Sequence, residues 1–396
     1  MFTPKNYVFT PKIYVQNKSL WRLLIKAEQS PHFVRPRLAF ERRKFAKWQR
    51  AQIRSSETSR ETPKYQFDFS PFSTSKSSAF AQNTQKQKER LLRKGILATN
   101  KRDFLEWFVG FFEAEGCCIF WKDAGKLRFR IEVTQQDKDL IYFIQKQFGF
   151  GTVIDIVRRT GNPCWRYQVE DLQSLLDFID LLNGNLVLQK RRATFETWLQ
   201  AFNTTNNTSI PFIEGGPQVL LTDGWLSGFL EGDGGFSVPQ NFIRTNKRSQ
   251  AYNLKLRFFV TQKDASDLIT QLRILFKVTN LERNLVNTVY NRQTGLKEKR
   301  FYNRMDTATL EAGTILLDYL TRFPFLGKRQ ITVEAWKELI KYRKTKFPVT
   351  PSTTATIQKY IDQTKRIESQ LQADSPVEDL ESINFDIESI NFDIEF

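Results

Sequence analysis

The sequence predicts an α+β protein made of two related halves, and three repeated features support this prediction. The first is a nine-residue motif, FVGFFEAEG at 108–116 and LSGFLEGDG at 226–234, each followed by strand-like segments. The second is a Thr-Gln pair at the end of a strand in each half. The third is a basic turn eight residues before a tryptophan, with Lys190 in the first half and Lys328 in the second. Self-similarity at a fixed spacing indicates internal duplication.

Each half is predicted to follow the order α-β-β-α-β-β-α. The motif forms the first helix, and a strand pair follows it. An amphipathic helix comes next, at 140–148 and at 268–276, and then a second hairpin. The basic turn opens the closing helix, which holds the tryptophan. The two halves together predict two antiparallel sheets with helices packed against them.

Composition divides the chain further. Residues 1–100 hold 21 Lys and Arg against 6 Asp and Glu, with many Ser, Thr, Gln and Pro, which is typical of a disordered segment. The predicted divisions are a basic, mostly disordered amino-terminal extension at 1–100, a first half at 101–205, a linker at 206–217, a second half at 218–345, and a polar then acidic tail at 346–396.

Charge and residue usage restrict the function. The 396 residues carry a formal net charge of +17, which favours a polyanionic partner such as nucleic acid or an anionic membrane surface. No uninterrupted apolar stretch of about 18 residues occurs, so no membrane partner is expected. Three cysteines are too few for a disulfide framework or a structural zinc site. The one histidine, His32, lies outside the motifs, which excludes catalysis built on a core histidine and leaves carboxylates, lysines and a hard metal ion.

The motif composition predicts a tight helix pair. Gly110 and Ala114 lie four residues apart, as do Gly228 and Gly232, so each pair of small residues shares one helix face. Small residues there allow the two motif helices to pack against each other at a pseudo-dyad. The helices then end in an acid and a glycine, which places Glu115 and Asp233 side by side.

Two adjacent carboxylates repel each other unless a cation lies between them. Glu115 and Asp233, together with the backbone oxygens of Ala114 and Gly232, form an oxygen-only donor set that suits Mg²⁺. Two further acids, Glu113 and Glu231, precede these by two residues. Their expected role is capping or salt bridging near the helix end.

Alternation along the strands predicts a basic surface. In the segment 127–133, apolar residues face the core, and Arg128, Arg130 and Glu132 face outward. The matching segment of the second half exposes Lys255 and Arg257. A strand with core on one face and Arg or Lys on the other is what reading a major groove of double-stranded DNA requires. The basic set continues onto the second hairpins with Arg158, Arg166, Arg283, Arg300 and Arg304.

The paired motifs resemble those of LAGLIDADG homing endonucleases, in the version that carries both motifs on one chain. The resemblance covers about residues 104–345. It implies a saddle of antiparallel sheets with the motif helices at its centre, and a monomer. It also implies that Glu115 and Asp233 hold the metals. One departure is that the first motif ends in Glu rather than Asp; the family tolerates both, but the longer side chain could shift the metal geometry.

The resemblance assigns roles to two further pairs of residues. Gln135 and Gln262 match the family's polar residue at the strand end, which positions water near the metal. Lys190 and Lys328 match its basic residue near the centre, which would offset charge that grows on the phosphorane.

The expected function is therefore site-specific, magnesium-dependent cleavage of both strands of a long DNA site by an intron-encoded enzyme. One alternative is an RNA maturase that binds its host-intron RNA and assists splicing. Another is a DNA-binding regulator without catalysis. The high content of Phe and Lys indicates an AT-rich organelle genome, with a chloroplast preferred to a mitochondrion.

Overall fold

The structure is a computed structural model that describes residues 66–74, 101–157, 163–246, 249–280, 283–290, 296–345 and 349–372. Of the predicted amino-terminal extension, the parts at 1–65 and 75–100 lie outside the described residues, as does the candidate DNA contact Arg158. The acidic end of the tail, after residue 372, lies outside them too.

The first half forms one antiparallel sheet with the strand order β1-β2-β4-β3. Its elements follow a short helix α1 (Ser70–Thr74). They are α2 (Lys101–Glu115), β1 (Gly116–Asp123), β2 (Lys126–Gln135), α3 (Lys138–Phe148), β3 (Thr152–Val157), β4 (Pro163–Val169), α4 (Leu172–Leu182) and α5 (Gln189–Asn206).

The second half repeats this arrangement, with the strand order β5-β8-β10-β9. Its elements are α6 (Trp225–Asp233), β5 (Gly234–Ser237), β6 (Ile243–Asn246), β7 (Ser249–Tyr252), β8 (Arg257–Lys263), α7 (Ser266–Leu275), β9 (Arg283–Tyr290), β10 (Lys297–Thr307), α8 (Leu310–Arg322), α9 (Gln330–Lys344) and α10 (Pro351–Gln372). The predicted α+β class with two related halves is confirmed.

Each half contains one helix more than predicted. Helices α4 and α8 lie between the second hairpin and the basic turn, and Asp171 and Thr309 cap their first turns. Residues 172–182 place Gln173, Asp177 and Asp180 four and three residues apart, which is a helical spacing, so the sequence contains a signal for α4 that the predicted order left out. The second half also inserts the β6-β7 hairpin between the two strands that pair after the motif.

Residues 66–74 differ from the disordered extension predicted for this region. The side chains of Phe67, Phe69 and Phe72 are buried in the core. The backbone of Asp68 exchanges two hydrogen bonds with the side chain of Asn185, of 2.9 and 2.7 Å. Three aromatic side chains supply enough apolar area to fix a short segment even when its neighbours are polar.

The tail also begins later than predicted. Helix α10 starts at Pro351 and packs against α9, with Ile357, Ile361 and Ile367 buried. The buried residues Ile357, Ile361, Thr364 and Glu368 are separated by four, three and four residues, so they lie along one side of the helix. The second half therefore extends at least to residue 372.

The core of the molecule depends on close contact between α2 and α6. A β-carbon on Gly110 would lie 1.9 Å from the carbonyl oxygen of Trp225, and one on Gly228 would lie 1.8 Å from that of Trp107. The two contacts are reciprocal, as a pseudo-dyad requires. The glycines are needed because the partner backbone occupies the space of a side chain.

Among the described helices, none combines the length and the apolar character that a bilayer crossing requires.

Replacing either interface glycine should destabilise the protein. Gly110→Ala or Gly228→Ala forces the helices apart, and we expect a loss of at least about 1–3 kcal/mol in the free energy of unfolding. Chemical denaturation measures this loss. The matched control is Gly313→Ala in α8, where the added carbon meets only the end of the Ile340 side chain at 3.3 Å. A Gly110→Ala protein as stable as this control would contradict the packing argument.

Candidate active site and nucleic-acid interface

The two motif helices bring their last acids to one place. Glu115 ends α2 and Asp233 ends α6. A β-carbon on Gly232 would lie 2.4 Å from the β-carbon of Ala114 and 2.9 Å from the γ-carbon of Glu115. Glu115 is 8% exposed, and Asp233 is half-buried. The pair therefore lies at the base of the helix interface, where the two halves meet.

Each acid accepts a hydrogen bond from the glutamine that the sequence analysis paired with it. Gln135 Nε2 donates to Glu115 Oε1 over 2.9 Å, and Gln262 Nε2 donates to Asp233 Oδ2. Both glutamines lie at the end of the strand that pairs with the strand after the motif. The duplication thus produces two copies of one acid–amide unit.

Two arginines that the sequence analysis did not select cap the ends of the motif helices. Arg191 Nε donates to the carbonyl of Glu113 at 2.8 Å, and Arg329 Nη1 donates to those of Leu230 and Glu231 at 2.9 and 2.5 Å. Cations at a helix carboxyl end offset its dipole. Each arginine directly follows the lysine chosen from the basic turn, so the turn itself was the signal.

The arginines also act on the acid of the second motif. Burial raises the pKa of Asp233 to about 6, while the charges of Arg191 and Arg329 and the hydrogen bond from Gln262 oppose this rise. Arg191 belongs to the first half and Asp233 to the second. The ionisation of this acid therefore depends on both halves.

The donor set has the chemistry of a site for a hard divalent cation. Two carboxylates and two carbonyls supply only oxygen atoms, as Mg²⁺ prefers. The carbonyls of Ala114 and Gly232 each accept a hydrogen bond of 3.2 Å, from Arg191 and Arg329 respectively. A carbonyl oxygen has two lone pairs, so each retains one for a cation. No group of three or more His, Cys, Asp or Glu with metal-ligand geometry occurs within the described residues.

The two predicted lysines lie at the start of the closing helices, in different surroundings. Lys190 is exposed in the first turn of α5. Lys328 precedes α9, and its Nζ lies 3.4 Å from Asp137 Oδ1. The backbone N–H of Lys328 donates to the other oxygen of Asp137 at 2.6 Å. Lys328 is therefore anchored by a residue of the first half.

Glu113 and Glu231 do not cap the motif helices; each binds the turn that leads into the closing helix of its own half. Glu113 accepts the backbone N–H groups of Val187 and Leu188, just before α5. Glu231 accepts those of Leu326 and Gly327, before α9. Burial raises the pKa of each carboxyl to about 7, and these hydrogen bonds counteract the rise.

The same two acids join the halves. Trp225 Nε1 of the second half donates to Glu113 Oε2 at 2.7 Å. In return, Trp107 Nε1 of the first half donates to Glu231 Oε2 at 3.0 Å. Each motif glutamate therefore fixes its own basic turn and the opposite motif helix at once.

On the first sheet, two of the candidate DNA contacts, Arg130 and Arg166, meet at Glu132, and Arg130 also contacts Glu170 at 2.5 Å. Arg130 lies over the ring of Trp121 at 4.8 Å and contacts Glu132 at 3.3 Å, and Arg166 contacts Glu132 at 3.2 Å. Arg128 is exposed. The expectation that Glu132 faces solvent is wrong: it is 3% exposed because the two arginines cover it. A charge at that depth requires such partners.

On the second sheet, three arginines surround Asp306, which the sequence analysis missed. Arg257, Arg283 and Arg304 lie 3.3, 3.9 and 3.4 Å from its oxygens. Arg304 also lies over the ring of Phe259 at 3.8 Å.

The two remaining second-half candidates lie near this cluster in the chain. Lys255 is exposed but precedes β8, so it is not a strand residue as predicted. Arg300 lies on β10 and is half-buried.

Comparison with known proteins identifies the family. The family model described as LAGLIDADG endonuclease matches residues 108–202 and 226–340. These ranges contain both motifs, both glutamines and both basic turns. The chain belongs to this family.

Among curated proteins, the chain is 32% identical over 260 residues to "Probable intron-encoded endonuclease 4" of Neurospora crassa, which covers 65% of this chain and 43% of that protein. It is 21% identical over 234 residues to "Probable intron-encoded endonuclease Cox1-I1b" of Schizosaccharomyces pombe, which covers 51% and 59%. The chain thus spans about half the length of these relatives.

Among solved structures, the chain is similar to the LAGLIDADG meganuclease I-AabMI bound to uncleaved DNA. The identity is 18% and the TM-score 0.48, with 67% of this chain and 98% of that chain covered.

Replacing either buried glutamate with glutamine should destabilise the protein. Glu113→Gln or Glu231→Gln turns an NH₂ group toward N–H donors, because both carboxylate oxygens accept hydrogen bonds. We expect a loss of about 1–3 kcal/mol in the free energy of unfolding, measured by chemical denaturation. The control is Glu334→Gln on the exposed face of α9, which should change stability by less than about 0.5 kcal/mol. Equal effects at buried and exposed positions would show that the glutamates do not join the halves.

Proposed function

We propose that this chain is a site-specific, intron-encoded endonuclease that hydrolyses both strands of a long DNA site with the help of Mg²⁺. The observation that carries the proposal is the acid pair. Glu115 and Asp233 come from two copies of one motif and meet at the pseudo-dyad, and each accepts a hydrogen bond from a glutamine. Family membership and the names of the intron-encoded relatives support the same reading.

In this proposal, Glu115, Asp233 and the adjacent backbone oxygens hold the cation. Bound Mg²⁺ would lower the pKa of a coordinated water and stabilise charge on the scissile phosphate. Gln135 and Gln262 orient the carboxylates and present an amide to water nearby. Arg191 and Arg329 favour the ionised form of Asp233. Lys190 and Lys328 place positive charge beside the phosphate.

The arginines of the two sheets supply the DNA surface. The first sheet offers Arg128, Arg130 and Arg166, and the second offers Arg257, Arg283 and Arg304. Half or more of such contacts bind phosphate, and the remainder read base edges. Two sheets that each follow about one turn of major groove correspond to a site of roughly 20 base pairs. Because both acids lie on one chain, we propose that a monomer is active.

The relatives named above come from fungi, which have mitochondria and no chloroplasts. The preference for a chloroplast therefore has no support, and we propose an organelle genome without that preference. The alternatives of an RNA maturase and of a non-catalytic regulator rest on the basic composition, whereas the paired acids favour cleavage.

Removing either acid should separate binding from cleavage. We expect Asp233→Asn and Glu115→Gln each to abolish double-strand cleavage with affinity for DNA retained, because the acids hold the cation rather than the bases. The assay is plasmid cleavage with Mg²⁺ on a library of candidate intron-insertion sites, followed by fluorescence anisotropy on the selected site. Asp318→Asn, on the exposed side of α8, is the control. Retained cutting by both single variants would refute the assignment.

The dependence of cleavage on pH should be linked to the metal concentration. A proton competes with the cation for Asp233, whose pKa is about 6. Apparent Mg²⁺ affinity should therefore fall as the pH decreases below about 6, and a higher Mg²⁺ concentration should move the midpoint of the pH profile to lower pH. Single-turnover cleavage between pH 5 and 8 at several Mg²⁺ concentrations measures this. A midpoint that does not move with Mg²⁺ would show that another group controls the profile.

A further inference from the structure

One carboxylate of the first half reaches the basic turn of the second. Asp137 is the N-cap of α3, and its Oδ1 accepts the N–H of Leu140 at 3.4 Å. Its Oδ2 accepts the backbone N–H of Lys328 at 2.6 Å, and Lys328 Nζ lies 3.4 Å from Oδ1. Asp137 is 2% exposed, whereas the side chain of Lys328 is 45% exposed. A buried carboxylate thus contacts both the backbone N–H and the ammonium group of a lysine that is partly open to solvent, and the exposed Asp139 Oδ2 lies 3.8 Å from the same Nζ.

This contact lies beside the acid pair. Asp137 follows two residues after Gln135, which donates to Glu115. A β-carbon on Gly327 would lie 2.8 Å from both Asp137 Oδ2 and Glu231 Oε1, so the turn is closely packed against the end of α6. Arg329, the residue after Lys328, donates to the carbonyl of Gly232. Lys328 is therefore fixed at the boundary between the halves, between the Gln135–Glu115 unit and the residue that precedes Asp233.

The equivalent aspartate of the second half is built differently. Asp264 follows two residues after Gln262 but is exposed, with a left-handed backbone φ of 52°. The N-cap of α7 is the next residue, Ala265, which makes no side-chain cap. Its N–H instead donates to Asn303 Oδ1 at 2.9 Å. Relative to the glutamine, helix α7 begins one residue later than α3, so its first turn is not capped by the aspartate.

We propose that Asp137 is a positioning residue for Lys328, acting across the pseudo-dyad, and that the two halves are consequently unequal. This inference rests on the proposed function, because it assigns the carboxylate a role in the rate of cleavage. Cleavage of the DNA strand that requires Lys328 therefore also requires Asp137, an acid of the opposite half. Asp264 does not provide the equivalent device.

A role of Asp137 in positioning Lys328 can be distinguished from a role in capping α3 alone. Asn can still cap α3, because its Oδ1 can accept the N–H of Leu140. Its NH₂ group then faces the backbone N–H of Lys328, and the nearer of the two carboxylate charges beside the ammonium group is lost, while Asp139 Oδ2 at 3.8 Å remains. If Asp137 acts through Lys328, its loss should have no further effect once Lys328 has been removed. If it only supports the fold, the two losses of rate should multiply in the double variant.

The first experiment measures nicking of each strand of a doubly end-labelled target by the wild type, Asp137→Asn, Lys328→Ala and the double variant. We expect Asp137→Asn to slow one strand by about tenfold to a hundredfold, the scale of a lost hydrogen bond to a charged group. The double variant should be no slower than Lys328→Ala. Asp264→Asn, the same change at the equivalent position, should leave both strands unaffected. Multiplied effects in the double variant, or equal effects of Asp264→Asn, would overturn the inference.

A second readout does not require cleavage. The rate at which an amine-reactive acylating reagent modifies Lys328, followed by mass spectrometry, should rise in Asp137→Asn and not in Asp264→Asn. If Asp137→Asn leaves the acylation rate of Lys328 unchanged and the wild type cleaves normally, the positioning role of Asp137 is refuted while the proposed function still holds. Absence of cleavage by the wild type would overturn the proposed function and with it the rate effect, even if acylation showed that the contact exists.

Discussion

Two helix backbones in direct contact determine where everything else in this protein lies. At Gly110 and Gly228 the carbonyl of the opposite helix occupies the space of a β-carbon. Because the helices approach so closely, their carboxyl ends meet, and the acids that end them are brought together without any loop to position them. Elements on regular helices hold side chains more firmly than loops do. The acid pair is thus a direct consequence of the absence of side chains one to two turns earlier.

Such close packing places polar groups where water cannot reach them, and the protein satisfies them reciprocally. Glu113 and Glu231 are buried, which disfavours their charged form. Each receives two backbone N–H groups from its own half and an indole N–H from the other. A buried carboxylate is tolerable only with such partners. The arrangement makes each half incomplete without the other, since the tryptophan of one helix satisfies the glutamate of its neighbour.

The sequence alone was sufficient to predict the features of the fold and the site that depend on repetition or on local periodicity. The motif pair predicted the helix contact, and the family resemblance placed Gln135 and Gln262 near the metal that the acids would hold. The sequence was insufficient where the role of a residue depends on which residues surround it in the folded protein. Arg191 and Arg329 adjoin the lysines selected, and nothing local shows which of the two side chains turns inward. Helix α4 is different, because Gln173, Asp177 and Asp180 follow a helical spacing that does predict it.

The basic faces show how far the two halves have diverged while they satisfy one electrostatic requirement. In the first half the acid is Glu132 on β2, which pairs across the strands with Gln168. In the second half the equivalent cross-strand pair is Phe259 and Asp306, so the acid lies on the neighbouring strand β10. Cross-strand partners have adjacent side chains, so either position reaches the same arginines. Arginines held by a carboxylate and an aromatic ring lose little further freedom when they bind a partner. The requirement is a buried negative charge that holds several guanidinium groups, and the fold allows either strand to provide it.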